Sequence, residues 1–178
     1  MTRRRFLRCT LGASVAIAMP QTAFAFIKPN TAAKELKLHN LHTEEKLTLS
    51  YFERGNYVAE ALHDINYLLR DHRTGDVHVM DPALIDLLHD LKNVLGTDKS
   101  LQVISAYRSP KTNAALHNKS SGVATKSLHM LGKAIDIRVE GIDAKDVRRA
   151  AIGLASGGVG YYPDSNFVHI DTGRVRTW

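Results

Sequence analysis

Three good metal-ligating side chains, His129, Asp136 and His169, stand in this 178-residue sequence among residues that would otherwise form a plain apolar core. Asp136 lies in the run Ala134-Ile135-Asp136-Ile137-Arg138-Val139. Read as a strand, it turns Ile135, Ile137 and Val139 to one face and Ala134, Asp136 and Arg138 to the other. A carboxylate among core residues is costly to desolvate unless it is paired or binds a metal. Gly132, just before the strand, lets the backbone turn His129 back over the Asp136 face. The last apolar run repeats the arrangement, with Val168 and Ile170 on one face and Phe167, His169 and Asp171 on the other.

Two imidazoles and one carboxylate suit zinc with a fourth position open, the coordination of a catalytic rather than a structural site. Zinc in such a site acidifies a water toward a pKa of ~7 and polarises a carbonyl. The chemistry also needs a carboxylate base and a cation near developing negative charge. Asp171, on the His169 face, is a candidate base, and Arg108, in a turn after an apolar run, is a candidate for the second role. An Asp136–arginine ion pair and a structural turn arginine are the alternatives these residues leave open. The other seven histidines, His39, His42, His63, His72, His78, His89 and His117, stand on polar faces, at strand ends or near turns, where surface or structural duty explains them.

The elements that must position these groups follow from periodicity. Residues 36–39 and 47–51 alternate apolar with polar around Thr43-Glu44-Glu45, which predicts a hairpin. Residues 57–69 carry a helical stripe at Val58, Ala61, Leu62, Ile65, Leu68 and Leu69. Asp81-Pro82 opens a second helix, with Asp as cap and Pro in the first turn, and Gly96 ends it. A short strand is expected at 101–106, a helix opened by Ser109-Pro110, a long polar loop at 118–128, and a strand at 133–139. A helix capped by Asp143 and strands at 159–162 and 167–171 complete an α+β order with a mostly antiparallel sheet.

The first 25 residues read as a separate segment. Arg3, Arg4, Arg5 and Arg8 precede an apolar run from Leu11 to Met19, and Ala23-Phe24-Ala25 suits cleavage after Ala25. The run is shorter than the ~20 residues a membrane-spanning helix needs. The arginine pair followed by Phe6-Leu7 fits a twin-arginine export signal and hence the periplasm. Removing its four arginines from the 24 basic residues leaves 20 against 18 acidic ones, a net charge of +2 instead of +6. No basic stripe with interleaved aromatics then remains to support nucleic-acid binding. The single cysteine, Cys9, leaves with the signal, so residues 26–178 hold no disulfide and no thiolate ligand. Their 153 residues suit one domain, with no second apolar span; oligomeric state is not readable from them.

Three motifs taken together support a family. Ser105-Ala106-Tyr107-Arg108-Ser109, then Ser127-Leu128-His129 with Gly132, Ala134 and Asp136, then Phe167-Val168-His169-Ile170-Asp171 resemble the M15-type zinc peptidases. This is the D-Ala-D-Ala carboxypeptidase and endolysin group, and its murein endopeptidases look most similar, over nearly all of residues 30–178. The ordered set S-x-H-x-x-G-x-A-x-D plus V-H-x-D is specific, whereas Y-R-S alone is not. The resemblance implies one zinc ion per chain on His129, Asp136 and His169, with Arg108 steadying the substrate carbonyl or its oxyanion. It further implies a Hedgehog/D-Ala-D-Ala peptidase-like fold and hydrolysis of peptidoglycan cross-links, at D-Ala–diaminopimelate or diaminopimelate–diaminopimelate bonds. The pattern departs at one point: many relatives carry an acid three residues before the last histidine, and here that position is Asn166. Asp171 is therefore the first choice of base and Asp164 the second. A D,D- or L,D-carboxypeptidase trimming stem peptides, and a non-catalytic wall-binding module stabilised by zinc, are the other readings.

Overall fold

The computed structural model describes residues 32–120 and 122–178, so the export segment read in residues 1–25 lies outside it. Leu36, Leu38 and Asn40 alternate with less buried neighbours in β1 (Lys34–Asn40), which pairs antiparallel with β2 (Lys46–Glu53) as the expected hairpin. A two-residue strand, β3 (Asn56–Tyr57), follows on the outer side of β2. Helix α1 (Ala59–Leu68) buries Ala61, Ile65 and Leu68. In α2 (Pro82–Leu95) the Asp81 side chain accepts from the Ala83 N–H and Gly96 closes the other end, as the cap residues dictate.

Five further elements lead up to the last strands. They are β4 (Leu101–Ser105), α3 (Pro110–Lys119) capped by Ser109, β5 (Ala134–Val139), α4 (Ala144–Leu154) capped by Asp143, and β6 (Gly158–Tyr162). The chain finishes with β7 (Phe167–Asp171) and a second two-residue strand, β8 (Arg176–Thr177). One eight-stranded sheet results, in the order β3-β2-β1-β4-β5-β7-β6-β8. Its pairs are antiparallel except β1 with β4 and β6 with β8.

The two sheet faces divide the labour. Leu38, Leu101, Val103, Ile135, Ile137, Val159, Val168 and Ile170 join the helices in the core, with α4 lying across β5, β6 and β7. Fully burying each of these large aliphatics is worth about 1.5–3 kcal/mol, which fixes the register of the strands. With the odd positions of β5 committed to the core, Asp136 is forced to the opposite face. The α+β class, the hairpin and the long polar loop match the sequence reading. The two-residue strands and the parallel pairs are additions, because so short a segment has no periodicity of its own.

Candidate metal centre

Asp136 and His169 are directly opposed on the antiparallel pair β5–β7. Such positions have Cβ atoms about 4.5–5.5 Å apart, close enough for side chains of this length to meet. His129 arrives from outside the sheet, on a single 3-10 turn (Leu128–Leu131) after the long loop. Ser127 caps that turn by accepting from the His129 N–H, and Gly132 ends it with φ +65°. A Cβ on Gly132 would lie 2.3 Å from the Val79 carbonyl oxygen, so the turn closes here only without a side chain. The turn is also tied to the corner after β4, where the Arg108 N–H donates to the His129 carbonyl at 3.2 Å.

The three side chains meet at their polar atoms. His169 Nδ1 lies 2.8 Å from Asp136 Oδ1 and 3.2 Å from His129 Nε2, and His129 Nε2 lies 3.3 Å from Asp136 Oδ1. Among the described residues this is the one group of three metal-ligating side chains whose donor atoms converge. The other seven histidines do not join it: His42 stacks on His72, His78 on Tyr107, and His117 bonds the Val123 carbonyl.

The outer nitrogens decide what the inner ones offer. His129 Nδ1 lies 2.7 Å from the Ala106 carbonyl, and His169 Nε2 lies 3.0 Å from Asp171 Oδ2. Each partner is an acceptor, so with a cation at the centre each outer nitrogen would carry the hydrogen and each inner nitrogen would turn a lone pair inward. Two lone pairs and a carboxylate oxygen would then face one cation, which is what a metal site requires. Edges of 2.8–3.3 Å are slightly shorter than the roughly 3.3–3.6 Å between ligands bound to zinc at ~2.0–2.2 Å in a tetrahedron. The donor set therefore fits zinc. Burial opposes charge on Asp136, yet His129 and His169 hold its carboxyl far below the usual carboxylate range. Burial likewise opposes charge on His169, but Asp136 and Asp171 outweigh it and raise its pKa.

The triangle lies at a cleft of about 410 Å³ whose other walls include Arg108, Lys126, Tyr162, Phe167, Arg176 and Trp178. Arg108 reaches within 3.7 Å of Asp136 Oδ2 and contacts Ser105 Oγ at 3.4 Å. Its Nε is buried with no partner, and burial pulls its pKa below the ordinary value. A desolvated guanidinium with an unused donor suits the charge-stabilising role expected of Arg108.

The expectation for the base needs revision. Asp171 is wholly buried and does not line the cleft. It accepts from His169 Nε2, from the N–H groups of Gly158 and Gly173, and from both Arg176 Nη atoms. Burial opposes its charge, but these donors hold the carboxyl well below the usual range. Asp164, the second choice, is exposed in the β6–β7 turn and is not a lining residue; neither is Asn166. Asp136 is the one carboxylate on the cleft among the described residues. Sequence reasoning missed Arg176, Trp178 and Tyr162. The alternation Arg176-x-Trp178 opposite Gly158-x-Gly160 was the signal available for the first two.

Comparison with known proteins agrees with this geometry. The family model for peptidoglycan L,D-endopeptidase MepK, in the M15 peptidase group, matches residues 28–178. The peptidoglycan L,D-endopeptidase MepK of Escherichia coli K12 is 44% identical over 176 residues, covering 99% of this chain and 96% of the relative. The probable peptidoglycan L,D-endopeptidase MepK of Haemophilus influenzae is 40% identical over 169 residues, covering 94% and 89%. A match of this extent, on a chain whose ordered His, Asp and His converge in space, shows that the protein belongs to the MepK family of M15-type peptidases.

Proposed function

We propose that the protein is a zinc-dependent endopeptidase of bacterial peptidoglycan that hydrolyses peptide cross-links, with L,D bonds between diaminopimelate residues as the first target and D-Ala–diaminopimelate bonds as the second. The observation that carries this reading is the convergence of two imidazole nitrogens and a carboxylate oxygen at an open cleft. When bound, zinc acidifies a water and polarises the scissile carbonyl. The chain's own residues do the rest. Ala106 and Asp171 hold the two imidazoles in the tautomers that point lone pairs inward. Arg108 supplies a desolvated positive charge beside the reacting centre, where negative charge develops on the carbonyl oxygen. Tyr162, Phe167 and Trp178 wall one side of the cleft, and the loop carrying Lys126 walls another. With Arg108 and Lys126 on its walls, the cleft suits stems that carry free carboxylates.

Purified protein incubated with muropeptide dimers of each linkage should yield monomers, fastest from the L,D-linked dimer. A chelator should stop the reaction and zinc restore it. His129→Ala, Asp136→Ala and His169→Ala should each abolish it. Loss of only a terminal residue from stems, with dimers intact, would establish a carboxypeptidase instead.

Residues 1–25 are proposed as a twin-arginine signal that delivers residues 26–178 to the periplasm. No helix of the described residues is long and apolar enough to cross a membrane. Replacing Arg3, Arg4 and Arg5 by lysine should leave precursor in the cytoplasm, because the translocon reads the arginine pair and not charge alone. Undiminished periplasmic yield from that variant would point to the general secretory route.

A further inference from the structure

Beyond the three ligands, the same sheet face joins the edge strand β8 to the metal centre. On β6, Val159 and Tyr161 face the helices, so Gly158 and Gly160 lie on the side of the metal centre. The strand next to it, β8, pairs Gly158 with Arg176, and the backbone of Trp178 continues the ladder to Val159 and Tyr161. Arg176 and Trp178 thus stand beside the two positions of β6 that have no side chain on this face. A Cβ on Gly158 would fall 2.3 Å from Arg176 Nη1 and 2.5 Å from Asp171 Oδ2. One on Gly160 would fall 2.6–2.8 Å from the Trp178 indole. Neither glycine has a positive φ, so the need is for space and not for backbone freedom.

Across this bare strip the edge strand reaches the centre of the sheet. Arg176 donates to both oxygens of Asp171, at 3.0 and 2.7 Å, and its guanidinium lies 4.8 Å from the Trp178 ring. Trp178 in turn donates from Nε1 to the Tyr162 hydroxyl at 2.9 Å, and its ring lies 5.2 Å from His169. Asp171 holds His169, so a continuous set of contacts runs from Arg176 through Asp171 to a ligand. A buried carboxylate without a counter-charge is strongly unfavourable, and Arg176 is the cation that Asp171 has. A planar two-pronged donor also fixes the carboxylate plane, which a single point charge does not.

We infer that Arg176 is a positioning residue of the metal centre, acting on His169 through Asp171, and that Gly158 and Gly160 are small so that Arg176 and Trp178 can cross β6 to reach it. This rests on the reading of His129, Asp136 and His169 as metal ligands. Groups that orient a metal-bound histidine typically change metal affinity or activity by about 10–100-fold when lost, and that is the size of effect expected.

The test is zinc affinity, measured on the full-length mature chain by competition with a chromophoric chelator, with circular dichroism to verify folding. Arg176→Ala and Gly158→Ala should each bind zinc about 10–100-fold more weakly than the unmodified protein while keeping its circular dichroism spectrum. Arg176→Lys should fall between the unmodified protein and Arg176→Ala, since an ammonium keeps the charge but cannot grip both oxygens. Gly153→Ala, on the surface of α4 where a Cβ meets nothing within 4 Å, is the control and should bind normally. A purely structural Arg176 would lower the melting temperature of the zinc-free protein but leave the affinity of the folded chain unchanged. Folded Arg176→Ala and Arg176→Lys variants with unaltered affinity would overturn the inference, and if the alanine variant does not fold, the lysine variant decides alone. An unmodified protein that binds zinc no more tightly than His129→Ala would sink the metal-site reading itself, a distinct failure.

Discussion

At Asp171, five hydrogen bonds converge on two oxygens that offer about four lone-pair sites. No lone pair is left to take a proton from a reacting water, so the residue serves by direction and charge. Asp171→Asn should therefore fold but bind zinc about 10–100-fold more weakly. Full zinc occupancy combined with lost turnover would restore it as the base. Asp164→Asn, in an exposed turn, should behave as the unmodified protein. Arg108 makes the complementary case. Arg108→Lys keeps a charge but loses the fork beside Asp136, so turnover on muropeptide dimers should fall by about 10²–10³-fold while zinc stoichiometry stays at one. Normal turnover would remove Arg108 from the reaction. Strand alternation placed Asp171 on the right face beside His169, and that much was readable from two residues of spacing. Its occupation was not, because Arg176, Gly158 and Gly173 reach it from other parts of the fold.

Between residue and sheet, the 3-10 turn is the element on which the site depends most. It carries His129 on four residues and is held by Ser127, by Gly132 and by the corner at Ala106 and Arg108. Gly132→Ala would require a left-handed alanine, at a cost of about 1–2 kcal/mol, and would also press a methyl group on the Val79 carbonyl. A lowered melting temperature together with weaker zinc binding is expected, whereas a lower melting temperature alone would show that the turn tolerates the shift. The helices were readable from Asp81-Pro82, Ser109-Pro110 and Asp143 because capping chemistry is local. The turn around His129 was read only as the end of a loop, since a single turn has no period to detect and its partners lie at 79 and 106.

For the molecule as a whole, acid stability has an identifiable contributor near the site. Burial is the main cause that brings the His72 pKa down to about 4, aided by Arg73, His42 and Arg108 and opposed by Asp71. The unfolded chain, with an ordinary value of about 6.5, takes up that proton first. Between pH 6.5 and 4 the unfolded state therefore binds more protons, and stability falls as the pH falls. Melting temperatures measured from pH 7.5 to 4 should decline, and His72→Gln should flatten the decline. An unchanged slope in that variant would assign the loss to other groups. The α+β architecture itself was readable, since long alternating and helical runs report their own burial.

The sheet's two outermost strands, Asn56–Tyr57 and Arg176–Thr177, are each two residues long. A sheet margin is normally a row of unsatisfied backbone groups that invites another chain to add a strand. Beside the cleft the margin is β8, too short to template a partner, with Arg176 and Trp178 turned inward over β6 and not outward, whereas at the far end β3 covers only Phe52 and Glu53 of β2. For a protein proposed to work in a concentrated meshwork of extended peptides, the short margin next to the cleft lets a peptide enter the cleft and offers it little hold as an added strand there.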